Sequence, residues 1–251
     1  MKKSFVLFML AMTSICAMAG GFDTARRDAI LKEISGARIP ERQQLITRFG
    51  AKGDGRKDCL PAFRKAIAKS KKLGGLRIIV PAGTYYLRGP IHMESNTCLD
   101  LQEGAVLKFD PTPQLYLPMV KTSWEGTFLQ NHSPFIYGYN LHDVSIIGRG
   151  TIDGNAASTF ATWRKDQKRD LMLSRKMNHE EIPVEQRNFG KDTKLRPHLI
   201  QFFNCRNITL SDFFITNSPF WCLHLLKSDN IICRALRYDA KLVNNDGIDP
   251  E

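Results

Sequence analysis

The residues with the most capacity for chemistry stand together at positions 244–251, Asn244-Asn245-Asp246-Gly247-Ile248-Asp249-Pro250-Glu251. Two carboxylates flank a glycine there, two side-chain amides precede them, and a Pro-Glu pair follows. Carboxyl groups held close together suit acid–base chemistry, because one can donate a proton while another accepts one. The same residues also suit a plain turn, since Asn, Asp and Gly tolerate left-handed backbone and bond their own main chain. Elsewhere, His224 lies within an apolar run and reads as a hydrogen-bonded core histidine. Trp124 reads either as a platform for a flat ligand or as a structural aromatic. The glycines at 50, 53 and 55 suggest a phosphate loop, but no Gly-Lys-Ser/Thr ending follows them, which argues against it.

Short β-like runs separated by polar turns must position these groups. They cover 77–80, 85–88, 97–101, 106–109, 144–147, 199–203, 208–210, 213–216, 223–226 and 231–233. Asn207-Ile208 and Asn230-Ile231 lie 23 residues apart, each opening an apolar run. Asp143-Val144 looks like the same position, 64 residues before Asn207, so one turn plus an insertion accounts for the gap. The charged segment at about 155–195 supplies that insertion and is expected to form a solvated face. A β-repeat of this length predicts an all-β, right-handed parallel β-helix, in which each coil buries itself on its neighbours. A β-sandwich would need hairpin turns, and Asn-Gly or Asp-Gly turns are scarce.

Two helices precede the repeat. One is predicted over residues 24–35. The other starts at Asp58 as N-cap, carries Pro61 in its first turn and ends at Gly74-Gly75. Leu60, Phe63 and Ile67 share a face, so this helix is expected to cap the solenoid and protect its edge. Asn96 and Asn207 open β-runs, where stacked asparagines are a structural device.

Residues 1–19 have the pattern of a secretory signal, with Lys2 and Lys3, an apolar stretch and Ala17-Met18-Ala19. Export is therefore expected, to the periplasm or beyond, without stable membrane insertion. Removal of Lys2 and Lys3 lowers the formal charge from +11 to +9. A basic exported chain fits an anionic polysaccharide partner, and no nucleic-acid motif is present. Five cysteines remain beyond the signal, an odd number that cannot pair completely, and they read as small core hydrophobes.

In order along the chain, Gly83-Thr84-Tyr85, Gly89-Pro90-Ile91, Trp124-Glu125-Gly126, Gly150-Thr151-Ile152-Asp153-Gly154, Arg196-Pro197, Asn217-Ser218-Pro219 and 244–251 fit one pattern. Together they resemble glycoside hydrolase family 28, the polygalacturonases, of the bacterial exported type. The resemblance implies cofactor-free hydrolysis of galacturonosyl linkages in pectin, with inversion, by a protein that is monomeric at full length. It makes Asp246 the base-side carboxylate, with Asn244 and Asn245 supporting it or meeting sugar hydroxyls. Asp249 is expected to secure the turn. Asn245 stands where the family usually has Thr. No Asp-Asp pair occurs in the sequence, so the family's general acid is expected on a coil beyond Glu251 and these residues alone are expected to be inactive. A non-catalytic pectin-binding β-helix and a pectate lyase are the alternatives.

Overall fold

The computed structural model describes residues 23–239 and 241–251. The segment assigned to the signal lies outside them. A first unit, reaching to Ser35, contains the helix Thr24–Glu33, whose N-cap Asp23 accepts a hydrogen bond from the Arg26 amide at 2.9 Å. The second unit, Gly36–Glu251, holds the remaining elements.

That unit is a parallel β-helix, with the right-handed crossovers that parallel strands take. The first sheet contains Gln43–Leu45, Leu76–Val80, Thr97–Leu101, His142–Ile147, Arg206–Ser211 and Asp229–Arg234. The second contains Asp54–Asp58, Gly83–Leu87, Ala105–Phe109, Thr151–Asp153, Phe214–Thr216 and Arg237–Asp239. The third contains Ile91–His92, Ile136–Tyr139, Ile200–Phe203, Leu223–Leu226 and Ile248–Pro250. Every pairing within these sheets is parallel, which excludes the sandwich.

The register explains the sequence repeat. Ile208 pairs with Ile231, and Val144 pairs with Ile208, so the three positions read as equivalent from sequence do stack. Each is preceded by a residue in left-handed backbone, Asp143, Asn207 and Asn230, with φ of 52°, 55° and 51°. Asn230 Nδ2 donates to Asn207 Oδ1 at 2.6 Å, and Asn207 Nδ2 donates to Asp143 Oδ1 at 3.3 Å. The ladder pins each turn above the previous one. Asn and Asp tolerate this backbone because their short polar side chains bond locally.

The helix Leu60–Leu73 buries Leu60, Phe63, Ala66 and Ile67 against the first coils. Its N-cap is Cys59, not Asp58, and the Cys59 side chain makes no capping hydrogen bond to the helix. Asp58 still serves the helix start: its Oδ1 accepts from the Leu60 amide at 3.0 Å and the Arg88 amide at 3.1 Å. The five cysteines at 59, 98, 205, 222 and 233 are free thiols, four of them buried.

Two excursions leave the coil. Val120–Trp124 and Thr127–Asn131 form an antiparallel hairpin. Its turn residues, Glu125 and Gly126, both have positive φ, as a two-residue primed turn requires. Between Thr151–Asp153 and Ile200–Phe203 the chain makes the helix Lys168–His179 and the short strand Asn188–Phe189, which joins that hairpin. Most of the segment's charges are exposed. Phe160 and Trp163 anchor it in the main core, while Phe189 and Leu195 pack with Trp124, Leu129 and Phe220.

Candidate active site

Alternation along the third sheet decides which side chains face outward. Ile91, Ile136, Ile200 and Leu223 pair in register and point into the core. The residues one step on, His92, Tyr137, Gln201, His224 and Asp249, therefore form a row on the opposite face. Neighbouring coils set such a row at intervals of about 4.8 Å.

The hairpin and residues 195–198 cover part of this row. The Tyr137 hydroxyl donates to the Lys121 carbonyl at 2.6 Å, and the Thr122 hydroxyl donates to Gln201 Oε1 at 2.9 Å. That second bond orients the Gln201 amide, so its nitrogen faces His224 Nδ1 at 2.7 Å. Nδ1 must then accept, and a neutral imidazole here carries its proton on Nε2, which lies 2.8 Å from Glu251 Oε2. His224 is fully buried, as a core histidine should be, but it is also the middle link of a polar relay. His198 lies against it at 4.1 Å between ring centroids and bonds the Ser123 carbonyl through Nε2 at 3.0 Å. Burial first, then the neighbouring His224, holds the His198 imidazole well below its ordinary value.

Asp246 sits in the bend before the last strand, with its side chain exposed. The bend is fixed from behind. The Asp246 carbonyl accepts from the Cys222 amide at 2.8 Å, and the Gly247 carbonyl accepts from the Leu223 amide at 3.2 Å. Asn245 is buried, and its amide donates to the carbonyls of Ser218 and Phe220 at 2.9 and 3.1 Å. Asn244 accepts from Arg196 Nη2 at 2.8 Å. Asn245 thus braces the loop through its donors, and Asn244 is held by an arginine.

Arg196 is fully buried, and among the described residues no carboxylate is hydrogen-bonded to it. Its guanidinium donates to Gln167, to the Pro219 and Val243 carbonyls and to Asn244, and lies 4.7 Å from the Phe220 ring centroid. Burial draws it down to about 10, with Arg164 adding to the effect. Trp124 is not available as a sugar platform. It is 1 % exposed, stacks on Phe220 at 4.9 Å and donates its indole N–H to the Arg196 carbonyl. Trp221 is half-buried against His198 and His224, with ring centroids 5.3 Å from each.

The other two carboxyls diverge. Burial pushes Asp249 up to about 6, and the charges of Asp246 and Glu251 push the same way. Burial is the largest single influence on Glu251 and works to raise it, but the hydrogen bond and charge of His224, with smaller hydrogen-bond contributions beside them, together outweigh it and leave Glu251 below the ordinary range. Sequence reasoning placed chemistry at Asp246 and passed over the relay. The available signal was spacing: Gln201 and His224 stand 23 residues apart, the same interval as Asn207 and Asn230.

The fold and this cluster define a parallel β-helix that gathers carboxyls at the edge of one sheet's outer face. A family model described as "Rhamnogalacturonase A/epimerase, pectate lyase-like" matches residues 45–108. A "Probable polygalacturonase" of Vitis vinifera is 28% identical over 217 residues, covering 82% of this chain and 39% of that protein. An "Exo-poly-alpha-D-galacturonosidase" of Dickeya chrysanthemi is 25% identical, covering 81% of this chain and 37% of its own length. The crystal structure of a hyperthermoactive exopolygalacturonase from Thermotoga maritima superposes with a TM-score of 0.85 at 40% identity, over 89% of this chain and 52% of that one. The chain belongs to glycoside hydrolase family 28. It spans about two fifths of the curated relatives it matches, 39% and 37%.

Proposed function

We propose that the protein is an exported hydrolase that cuts galacturonosyl linkages in pectin, with Asp246 activating the attacking water. The observation that carries this reading is the contrast at the bend. The Asp246 side chain is exposed, while its carbonyl, the buried Asn245 and the arginine-held Asn244 fix the backbone beneath it. A base works only if its geometry is fixed before substrate arrives. The named activities of the relatives support the substrate class, and the formal charge, +11 for the whole sequence and +9 without Lys2 and Lys3, suits a polyanion. Export rests on the signal pattern of residues 1–19. Among the described residues, no helix is long and apolar enough to cross a membrane.

The test is release of reducing ends from polygalacturonate by the protein at its full length. The substitution Asp246→Asn keeps the shape and removes the base, so turnover should fall by about 10²–10⁴-fold. Circular dichroism and the unfolding midpoint should stay close to those of the parent, because the exposed carboxylate makes no hydrogen bond that holds the fold. Near-normal turnover in this variant would remove Asp246 from the mechanism.

A further inference from the structure

Beside the bend that carries Asp246, three aromatic rings stand in one column. Trp124 stacks on Phe220 at 4.9 Å between centroids and 8° between planes, and Phe220 stacks on Trp221 at 4.9 Å and 13°. The inner end is closed, because Trp124 is 1 % exposed and donates its indole N–H to the Arg196 carbonyl. Phe220 is buried in the middle, with the Arg196 guanidinium against it. Trp221 is the end of the column that water reaches.

A half-exposed aromatic is ordinary by itself; what sets Trp221 apart is its place. The Asn245 side chain donates to the Phe220 carbonyl at 3.1 Å, and the Cys222 amide donates to the Asp246 carbonyl at 2.8 Å. Trp221 lies between those two bonds, so it stands one coil from Asp246, at the coil spacing of about 4.8 Å. Cys222 belongs to the core and Asn245 is buried, so by alternation the adjoining side chains, Trp221 and Asp246, turn outward. Asp246 is exposed, as this requires. The Trp221 ring is steadied from its surroundings: His198 and His224 each lie 5.3 Å away, and its carbonyl accepts from the Leu199 amide at 3.1 Å. A ring held in this way loses little freedom when a flat ligand settles on it.

We propose that Trp221 is the sugar platform of the cleavage site, stacking its indole on a ring bound beside Asp246 and selecting one of galacto configuration. The assignment rests on the hydrolase reading. Its chemistry lies in the sugar. An axial hydroxyl at C4 clears one ring face and leaves the C–H bonds at C3, C4 and C5 together there, an apolar patch that an aromatic face can cover. An equatorial hydroxyl at C4, as in a gluco-configured ring, breaks up that patch. The C6 carboxylate stays at the ring's edge, so stacking and charge recognition act on different parts of the same sugar. Indole also brings an N–H that can meet a sugar oxygen at the rim of the contact. Trp124, the other tryptophan that the sequence offers for this duty, is buried at the far end of the same column.

The test uses the full-length protein carrying Asp246→Asn, so that ligand is bound and not consumed, with trigalacturonate as the probe. Tryptophan emission should change on titration, and adding Trp221→Phe should sharply reduce that change while most of the affinity remains. Trp221→Leu should weaken binding by about tenfold. A merely structural role would lower the unfolding midpoint of Trp221→Leu and leave the affinity of the folded protein alone. Where Trp221→Leu does not fold, the emission change in Trp221→Phe decides by itself. Parental affinity in a folded Trp221→Leu variant, or an emission change undiminished in Trp221→Phe, overturns the platform. Either result leaves the hydrolase reading standing, because the parent with Asp246 intact is assayed separately on polygalacturonate. A parent that neither binds trigalacturonate nor cuts polygalacturonate overturns the hydrolase reading and the platform with it.

Discussion

Asp249 and Glu251 are two residues apart on one strand, yet their surroundings drive them in opposite directions. The consequence for stability can be worked out for each. Asp249 is raised in the folded state, so the fold binds its proton more tightly than the unfolded chain does. The stabilisation is complete below the ordinary aspartate value of about 3.9 and is lost as pH rises through about 6. Asp249→Asn should therefore raise the melting temperature at about pH 8 and lose that advantage at about pH 4. Scanning calorimetry at the two pH values decides it. Equal destabilisation at both would show that the carboxylate makes a stabilising bond. Glu251 has the opposite sign: its contribution is present above the ordinary glutamate value and is lost as pH falls through its lowered folded value. Stability set aside at a carboxyl in this way is typical of groups retained for function.

At the scale of elements, the stacking of coils was legible because it leaves a repeat. Asp143, Asn207 and Asn230 share a backbone need, and each precedes an apolar run, so polar turn and buried strand recur together. Apolar runs alone marked other strands, such as Thr97–Leu101 and Leu223–Leu226, and some strands without a long apolar run were missed. Asp54–Asp58 reads Asp-Gly-Arg-Lys-Asp and is largely exposed, and its pairing is supplied by its neighbour Gly83–Leu87, not by its own side chains. The hairpin at 120–131 escaped because its turn is Glu-Gly, outside the usual turn pairs. The outer row of the third sheet escaped for a different reason. Tyr137, Gln201, His224 and Asp249 share no residue type, and only the register unites them. The asparagine ladder is testable. Asn207→Ala removes two ladder bonds and leaves a Cβ residue at φ 55°. It should cost about 1–3 kcal/mol in urea unfolding, and Asn207→Gly should recover part of that by relieving the backbone alone.

For the whole molecule, the capping helix and the three sheets are what any β-helix requires. Function enters through what is added to that frame. The hairpin, the segment between 155 and 195 and the bend at 244–247 all converge on one sheet's outer face. Arg196 ties two of these together, joining Gln167 to Asn244 from a buried position. Family membership was legible in the ordered motifs, whereas the brace behind Asp246 was not, because its members lie 23 to 48 residues apart. The central claim is that this frame carries water-dependent cleavage of galacturonosyl bonds with an acid and a base on opposite sides of the sugar, roughly 6.5–9.5 Å apart in enzymes of that kind. The most direct measurement is proton NMR of the first product formed from an α-linked galacturonate oligomer, recorded before the new reducing end equilibrates. The account predicts a saturated product that appears first as the β-anomer. A product that appears first as the α-anomer, or one that carries a double bond, would contradict it.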